Sequence, residues 1–150
     1  MNNDDHIKGK IRDSFKRQAF MKLIGAELVL IDSGYCEIKL PYKIELSQQH
    51  GYFHAGAVST IADNACGYAA FSLMEMSSSI LTVEFKINLL APATGDYLLS
   101  KARVIKAGKT LTVCTAEVFS VMGTVEKKSA IMQSTLIELK NRADYSQEKK

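Results

Sequence analysis

Asp63 is the residue around which chemistry can be built. It lies inside an apolar stretch, Gly51 to Met74 (GYFHAGAVSTIADNACGYAAFSLM), among alanines, glycines and aliphatic side chains. The other acid or base side chains between Gln48 and Glu75 sit outside its apolar part: His50 and His54 in the loop before it, Glu75 at its far end. A carboxylate so placed needs several hydrogen-bond partners or has a perturbed pKa that is put to use. On a helix starting near Ala55 or Gly56, the residues Gly56, Ser59, Thr60, Asp63 and Gly67 fall on one small, polar side. The free N–H groups of Ala55 and Gly56 at that helix start carry positive partial charge and suit a carbonyl oxygen or the oxyanion it becomes. The side chains of His54 and Gln48 can hydrogen-bond the same oxygen. The set reads as a polarised carbonyl with a positioned acid. The competing reading is an Asp that braces a neighbouring segment, with solvated loop histidines.

Other chemistries find less support. No Gly-x-Ser-x-Gly elbow accompanies Asp63, so a Ser-His-Asp arrangement is not expected. His50 and His54 lack an accompanying acid cluster, and no metal site is expected. Cys36, Cys66 and Cys114 are widely spaced, odd in number and without a Cys-x-x-Cys pair, which predicts free thiols and a reducing, cytoplasmic setting. The N-terminus, MNNDDHIKGK, has no apolar core and does not read as a signal peptide. The most apolar window, Ala65 to Met74, is too short to span a bilayer. Over 150 residues, with 47% hydrophobic and 23% charged, the composition is that of one soluble domain with a substantial core. A net charge of +3, scattered along the chain, argues against nucleic acid as a partner.

The elements that must position Asp63 follow from periodicity. Ile7, Ile11, Phe15, Ala19, Phe20 and Leu23 form a helical stripe, which predicts one N-terminal helix over about 5–24, capped by Asp4 or Asp5 and closed by Gly25. Ala26 to Asp32 and Tyr35 to Leu40 read as strands joined at Asp32-Ser33-Gly34. The central helix is apolar over most of its circumference and is expected to be buried nearly all round. Ile80 to Leu90 alternates, with Leu81, Val83, Phe85 and Ile87 on one face and Thr82, Glu84, Lys86 and Asn88 on the other. Tyr97 to Lys106, Thr110 to Val121 and Val125 to Leu139 read as three strands linked by tight hairpins. Helices and strands do not alternate, so an α+β fold is expected, with an antiparallel sheet wrapped around one long helix. A single domain over 1–139 and a polar tail over 140–150 complete the expected organisation.

His54-Ala55-Gly56 followed by Asp63-Asn64-Ala65-Cys66-Gly67-Tyr68-Ala69 resembles the His-Gly-Gly…Asp-x-Ala-x-Gly-x-Ala signature of hotdog-fold acyl-CoA thioesterases of the PaaI-like branch. Leu81 to Pro92 and the hairpin Lys106 to Leu111 continue the likeness, which covers roughly Gly25 to Leu139. The resemblance implies hydrolysis of an acyl-CoA, or of a related acyl carrier, to free acid and thiol, with CoA only as part of the substrate and no cofactor. Asp63 then matches the nucleophile or general base, and Ala55 the position whose backbone N–H polarises the carbonyl. His54 and Gln48 match positions near that carbonyl, and Thr82 a hydroxyl that helps place the attacking water. Gly56 adjoins the carbonyl site, while Lys106 and Lys109 are candidates for contact with the CoA phosphates. Ala55 stands where the family has glycine, and Gln48 where many relatives have Asn. The resemblance further implies a homodimer with shared active sites, joined as a homotetramer. A non-catalytic acyl-CoA binder or sensor is the alternative function.

Overall fold

The computed structural model describes residues 3–142 and residue 144. The chain opens with α1 (Asn3–Arg17) and α2 (Ala19–Ile24) rather than one helix. The break falls at Gln18, whose ψ of 100° is extended, and its side chain is drawn into bonds with the central helix described below. Helix α1 begins at Asn3, so Asp4 and Asp5 lie within its first turn and not ahead of it. Gly25 closes α2 as expected, in the left-handed conformation that a residue without Cβ adopts at no steric penalty.

The strands β1 (Glu27–Asp32) and β2 (Tyr35–Pro41) form the first hairpin, and the central helix α3 spans Ala55–Phe71. Four strands follow: β3 (Ser79–Leu89), β4 (Tyr97–Ala107), β5 (Leu111–Met122) and β6 (Val125–Leu139). They make one six-stranded antiparallel sheet in the order β1-β2-β4-β5-β6-β3, and α3 contacts every strand of it. This is the sheet wrapped around a helix that the hotdog resemblance implies. Val58, Ile61, Ala62, Ala65, Cys66 and Ala69 of α3 are buried against Cys36, Ile38, Leu40, Leu98, Val118 and Leu136 of the strands. The alanines let the helix backbone approach the sheet closely, while each buried Ile or Leu contributes about 1.5–3 kcal/mol of transfer free energy. Helix α3 is buried over most of its girth but not on the side of Gly56, Ser59, Thr60, Asp63 and Gly67. All three cysteines are buried and free.

Strand β3 departs from the predicted alternation. Thr82 pairs with Leu136 and Glu84 with Thr135, so Val83 is an extra residue, a bulge. One inserted residue reverses which face every later side chain takes. Before the bulge Thr82 shares the helix-facing side with buried Leu136, and after it Phe85 shares that side with buried Ser134. Thr82 and Phe85 therefore face the same way, where regular alternation sets them apart. Strand β3 is also one of the sheet's two edges, opposite β1. Its Leu81, Val83, Phe85 and Leu89 are between 46% and 56% exposed, a long apolar edge with no strand paired on its outer side among the described residues.

Strand β6 ends at Leu139, and Asp144 accepts from the Arg17 guanidinium at 3.3 Å. The rest of the expected polar tail, 143 and 145–150, lies outside the described residues. Among the described residues, no helix is long and apolar enough to cross a membrane.

Candidate active site

The loop leading into α3 is a pinned turn. Ser47 and Phe53 form an isolated antiparallel bridge, the His54 N–H donates to the Leu46 carbonyl at 2.8 Å, and the Phe53 N–H donates to the Ala93 carbonyl at 2.9 Å. Within the turn the Gln48 carbonyl accepts from the Gly51 N–H at 2.9 Å, and Gln48 Oε1 accepts from the His50 N–H. The amide oxygen of Gln48 is thus occupied, and its NH₂ group is the end left to donate.

His54 caps α3. Its Nδ1 accepts the Gly56 N–H at 2.8 Å. Of the two backbone donors expected at this helix start, that of Gly56 is already engaged, and that of Ala55 is the open one among the described residues. With Nδ1 as acceptor, the proton of the neutral ring sits on Nε2, so His54 presents a donor on its other side. Gln48, Tyr52, His54, Ala55, Leu90 and Pro92 border a cavity of about 590 Å³. It is mixed in character, with amide and imidazole donors against aliphatic walls.

Asp63 stands more than two turns further along α3, about 12 Å of helical rise from Ala55. It is half-buried, and Thr82 Oγ1 donates to its Oδ1 at 2.9 Å. The bulge at Val83 leaves Thr82 and Phe85 on this same side of β3. Burial pushes the Asp63 carboxyl above its ordinary range, and the Thr82 bond pulls it the other way with the smaller effect. Asp63 borders a separate cavity of about 210 Å³ together with Ser14, Gln18, Asn64, Tyr68 and Thr82. That cavity shares no lining residue with the one at Ala55. Within one chain the acid and the backbone donor do not address one atom.

The remaining residues singled out from the sequence are spread further. Gly56 borders an apolar groove of about 720 Å³ between α3 and α2, lined by Phe20, Leu23 and Thr60. His54 lies at the boundary between this groove and the loop cavity. Lys106 is near the end of β4 and Lys109 in the β4–β5 turn; both are exposed and neither borders either cavity.

Sequence reasoning missed the polar residues packed beside Asp63. Asn64 Nδ2 donates to Gln18 Oε1 at 2.9 Å, Gln18 Nε2 donates to the Tyr68 hydroxyl at 2.7 Å, and that hydroxyl shares a 3.1 Å hydrogen bond with Ser14 Oγ. A signal was present in Asn64, a second polar side chain inside the apolar run. For Gln18 there was none, because the apolar stripe passes through it without interruption.

A model of the thioesterase superfamily matches residues 50–127, more than half of the chain, and the match takes in both the His54 loop and Asp63. A solved structure of a thioesterase family protein from Silicibacter pomeroyi is 48% identical, covers 89% of this chain and 98% of that one, and superposes with a TM-score of 0.87. The acyl-coenzyme A thioesterase PaaI of Escherichia coli (strain K12) is 26% identical over 106 residues, 69% of this chain and 73% of PaaI. A 1,4-dihydroxy-2-naphthoyl-CoA hydrolase of Listeria monocytogenes is 27% identical over 90 residues, 60% of this chain and 73% of the hydrolase. The chain belongs to the thioesterase superfamily, and its hotdog fold is of the PaaI-like kind.

Proposed function

We propose that the protein hydrolyses the thioester of an acyl-CoA, or of a related acyl carrier, to the free acid and thiol. The observation that carries this reading is the helix α3 itself, which begins at an open backbone donor on Ala55 and holds a half-buried, hydroxyl-bonded carboxylate at Asp63. A thioester has little resonance stabilisation, so a polarised carbonyl and a positioned carboxylate are sufficient chemistry. The carbonyl oxygen accepts from the Ala55 N–H, with the Gln48 amide and His54 Nε2–H as further donors. These are worth most where charge develops in the transition state. Asp63 acts on the carbonyl carbon directly or through a water that Thr82 helps to place. The proposed reaction draws on these groups alone and calls on no metal or organic cofactor.

The separation of the two cavities supports a site completed by a second copy, in which Asp63 of one subunit works on a carbonyl held by the loop of the other. The half-exposed apolar edge of β3 supports the same reading, since an unpaired edge strand is a template for pairing and a two-fold axis lets it pair with itself. The PaaI-like resemblance extends the dimer to a tetramer, and it makes the exposed Lys106 and Lys109 candidates for the CoA phosphates. Three buried, free thiols support a reducing, cytoplasmic setting.

The test is thiol release from short-chain, medium-chain and aryl acyl-CoAs by the wild type and Asp63→Asn. We expect the variant to lose about 10²-fold or more in kcat, as removal of a positioned acid or base does, with its melting temperature near that of the wild type. Equal release by both proteins sinks the role of Asp63, and a large drop in melting temperature identifies it as a structural brace instead. Acyl-CoA that raises the melting temperature without being cleaved identifies a binder.

A further inference from the structure

We propose that the groove between α2 and α3 holds the acyl arm of the substrate and selects an aliphatic chain of medium length over a short one, an inference that rests on the thioesterase reading above. Phe20 and Leu23 continue the apolar stripe of the N-terminal sequence, yet they are 55% and 76% exposed. The break at Gln18 accounts for this. It makes α2 a separate helix that turns one i, i+3 pair, Met21 and Ile24, into the core and leaves the pair before it, Phe20 and Leu23, facing outward. Together with Ala57 and Thr60 of α3, that outward pair lines the groove of about 720 Å³.

The groove suits a hydrocarbon. Thr60 Oγ1 donates to the Gly56 carbonyl at 2.8 Å, so its proton is spent on its own helix. The Gly56 N–H is likewise engaged, by His54 Nδ1. Lys43 and Glu45 also border the groove, but both are exposed and their charges are opposite in sign. An apolar chain laid over Phe20 and Leu23 leaves no buried polar group unpaired and takes apolar surface out of water.

The groove joins the carbonyl site at His54, which borders both it and the loop cavity beside Ala55. A Cβ at position 56 would come within 3.0 Å of His54 Nδ1, so the glycine keeps the space beside the imidazole clear at this junction. A thioester carbonyl carbon carries two arms, and two cavities meet beside the place where its oxygen is held. The thiol arm of CoA contains two amides, and the loop cavity offers it Gln48, Gln49 and Ser129. The acyl arm then runs past His54 along the first turn of α3. From Gly56 to Thr60 the helix rises about 6 Å, a length that about five carbon–carbon bonds of roughly 1.5 Å cover in zigzag. A butanoyl group falls short of that, and an octanoyl group spans it.

Kinetics on two substrates and one structure test this. Wild-type kcat/KM is expected to be at least about tenfold higher for octanoyl-CoA than for butanoyl-CoA, since each buried methylene is worth up to about fourfold. The double variant Phe20→Ser, Leu23→Ser changes only exposed side chains, so its melting temperature is expected to stay near that of the wild type. We expect it to raise KM for octanoyl-CoA about tenfold while kcat and KM for butanoyl-CoA stay within about twofold. A wild type that does not favour the longer chain, or a double variant that affects both substrates alike, overturns the proposal. A crystal structure of Asp63→Asn with octanoyl-CoA is expected to show acyl carbons within about 4.5 Å of both Phe20 and Leu23. An acyl arm lying elsewhere, or a groove filled by a second copy of the protein, overturns the proposal whatever the kinetics. Failure of the wild type to release thiol from any acyl-CoA overturns the thioesterase reading itself, and the same crystal structure still decides whether the groove takes the acyl arm.

Discussion

At the scale of single residues, the acidity of Asp63 is expected to set the pH behaviour of the proposed reaction. Burial raises its pKa and the Thr82 hydroxyl, by stabilising the anion, opposes the rise. A general base works only when ionised, so the acid limb of the kcat/KM profile lies above the ordinary Asp value of about 3.9. Thr82→Val removes the opposing influence, and the limb is expected to move to still higher pH while kcat falls about tenfold or more; a limb that stays in place contradicts the assignment. Asp144, which borders the same cavity, is held by Arg17. The folded-state sign is consistent: with its pKa raised, native Asp63 binds more protons than the unfolded chain does, so its contribution to stability falls as pH rises from the ordinary to the raised value. The acid was legible because one carboxylate in an apolar run is conspicuous. That the Gly56 N–H is taken up by the imidazole of its own cap, His54 Nδ1, was not, since a rotamer chooses between capping and facing the pocket.

At the scale of elements, two irregularities do the positioning, and both escaped the sequence. The N-terminal stripe continues through Gln18, yet the helix breaks there because the Gln18 side chain finds partners on α3, a tertiary preference no local pattern encodes. The alternation of β3 is equally smooth, and it hides the bulge because Leu81, Val83, Phe85 and Ile87 make a perfect apolar row on paper. What breaks the row is the need to pair with β6 while keeping both Thr82 and Phe85 toward the helix. Val83 is the residue the bulge takes up and is half exposed, so its identity matters little. Val83→Ile is expected to change stability by less than about 0.5 kcal/mol and to keep activity. Deleting Val83 leaves Thr82 and Phe85 two positions apart with their partners on β6 unchanged, so both still face the helix by plain alternation; the Thr82–Asp63 bond is expected to survive and kcat to fall much less than in Thr82→Val. A deletion variant whose kcat falls as far as that of Thr82→Val refutes the register of the bulge.

At the scale of the whole molecule, the sequence was a good guide where hydrophobic periodicity decides the outcome. The single buried helix, the hairpins and the strands from Tyr97 to Leu139 follow from apolar spacing and turn residues. Strand order did not, because β3 joins the far edge beside β6 through a pairing between distant segments. That placement makes β3 both an edge and the strand that carries Thr82. The surface proposed to meet a second copy and the residue that fixes the acid therefore belong to one element.

The two cavities, with their disjoint linings, also have a consequence for heredity. A chain carrying Asp63→Asn keeps its carbonyl-binding loop, and a chain carrying Gln48→Ala keeps its acid. Two such alleles, each inactive alone, should complement when expressed in one cell. In the proposed dimer with shared sites, random pairing makes half the dimers hybrid and each hybrid has one intact site of two, so the mixture should recover roughly a quarter of wild-type activity. Recovery of none would mean that each chain completes its own site.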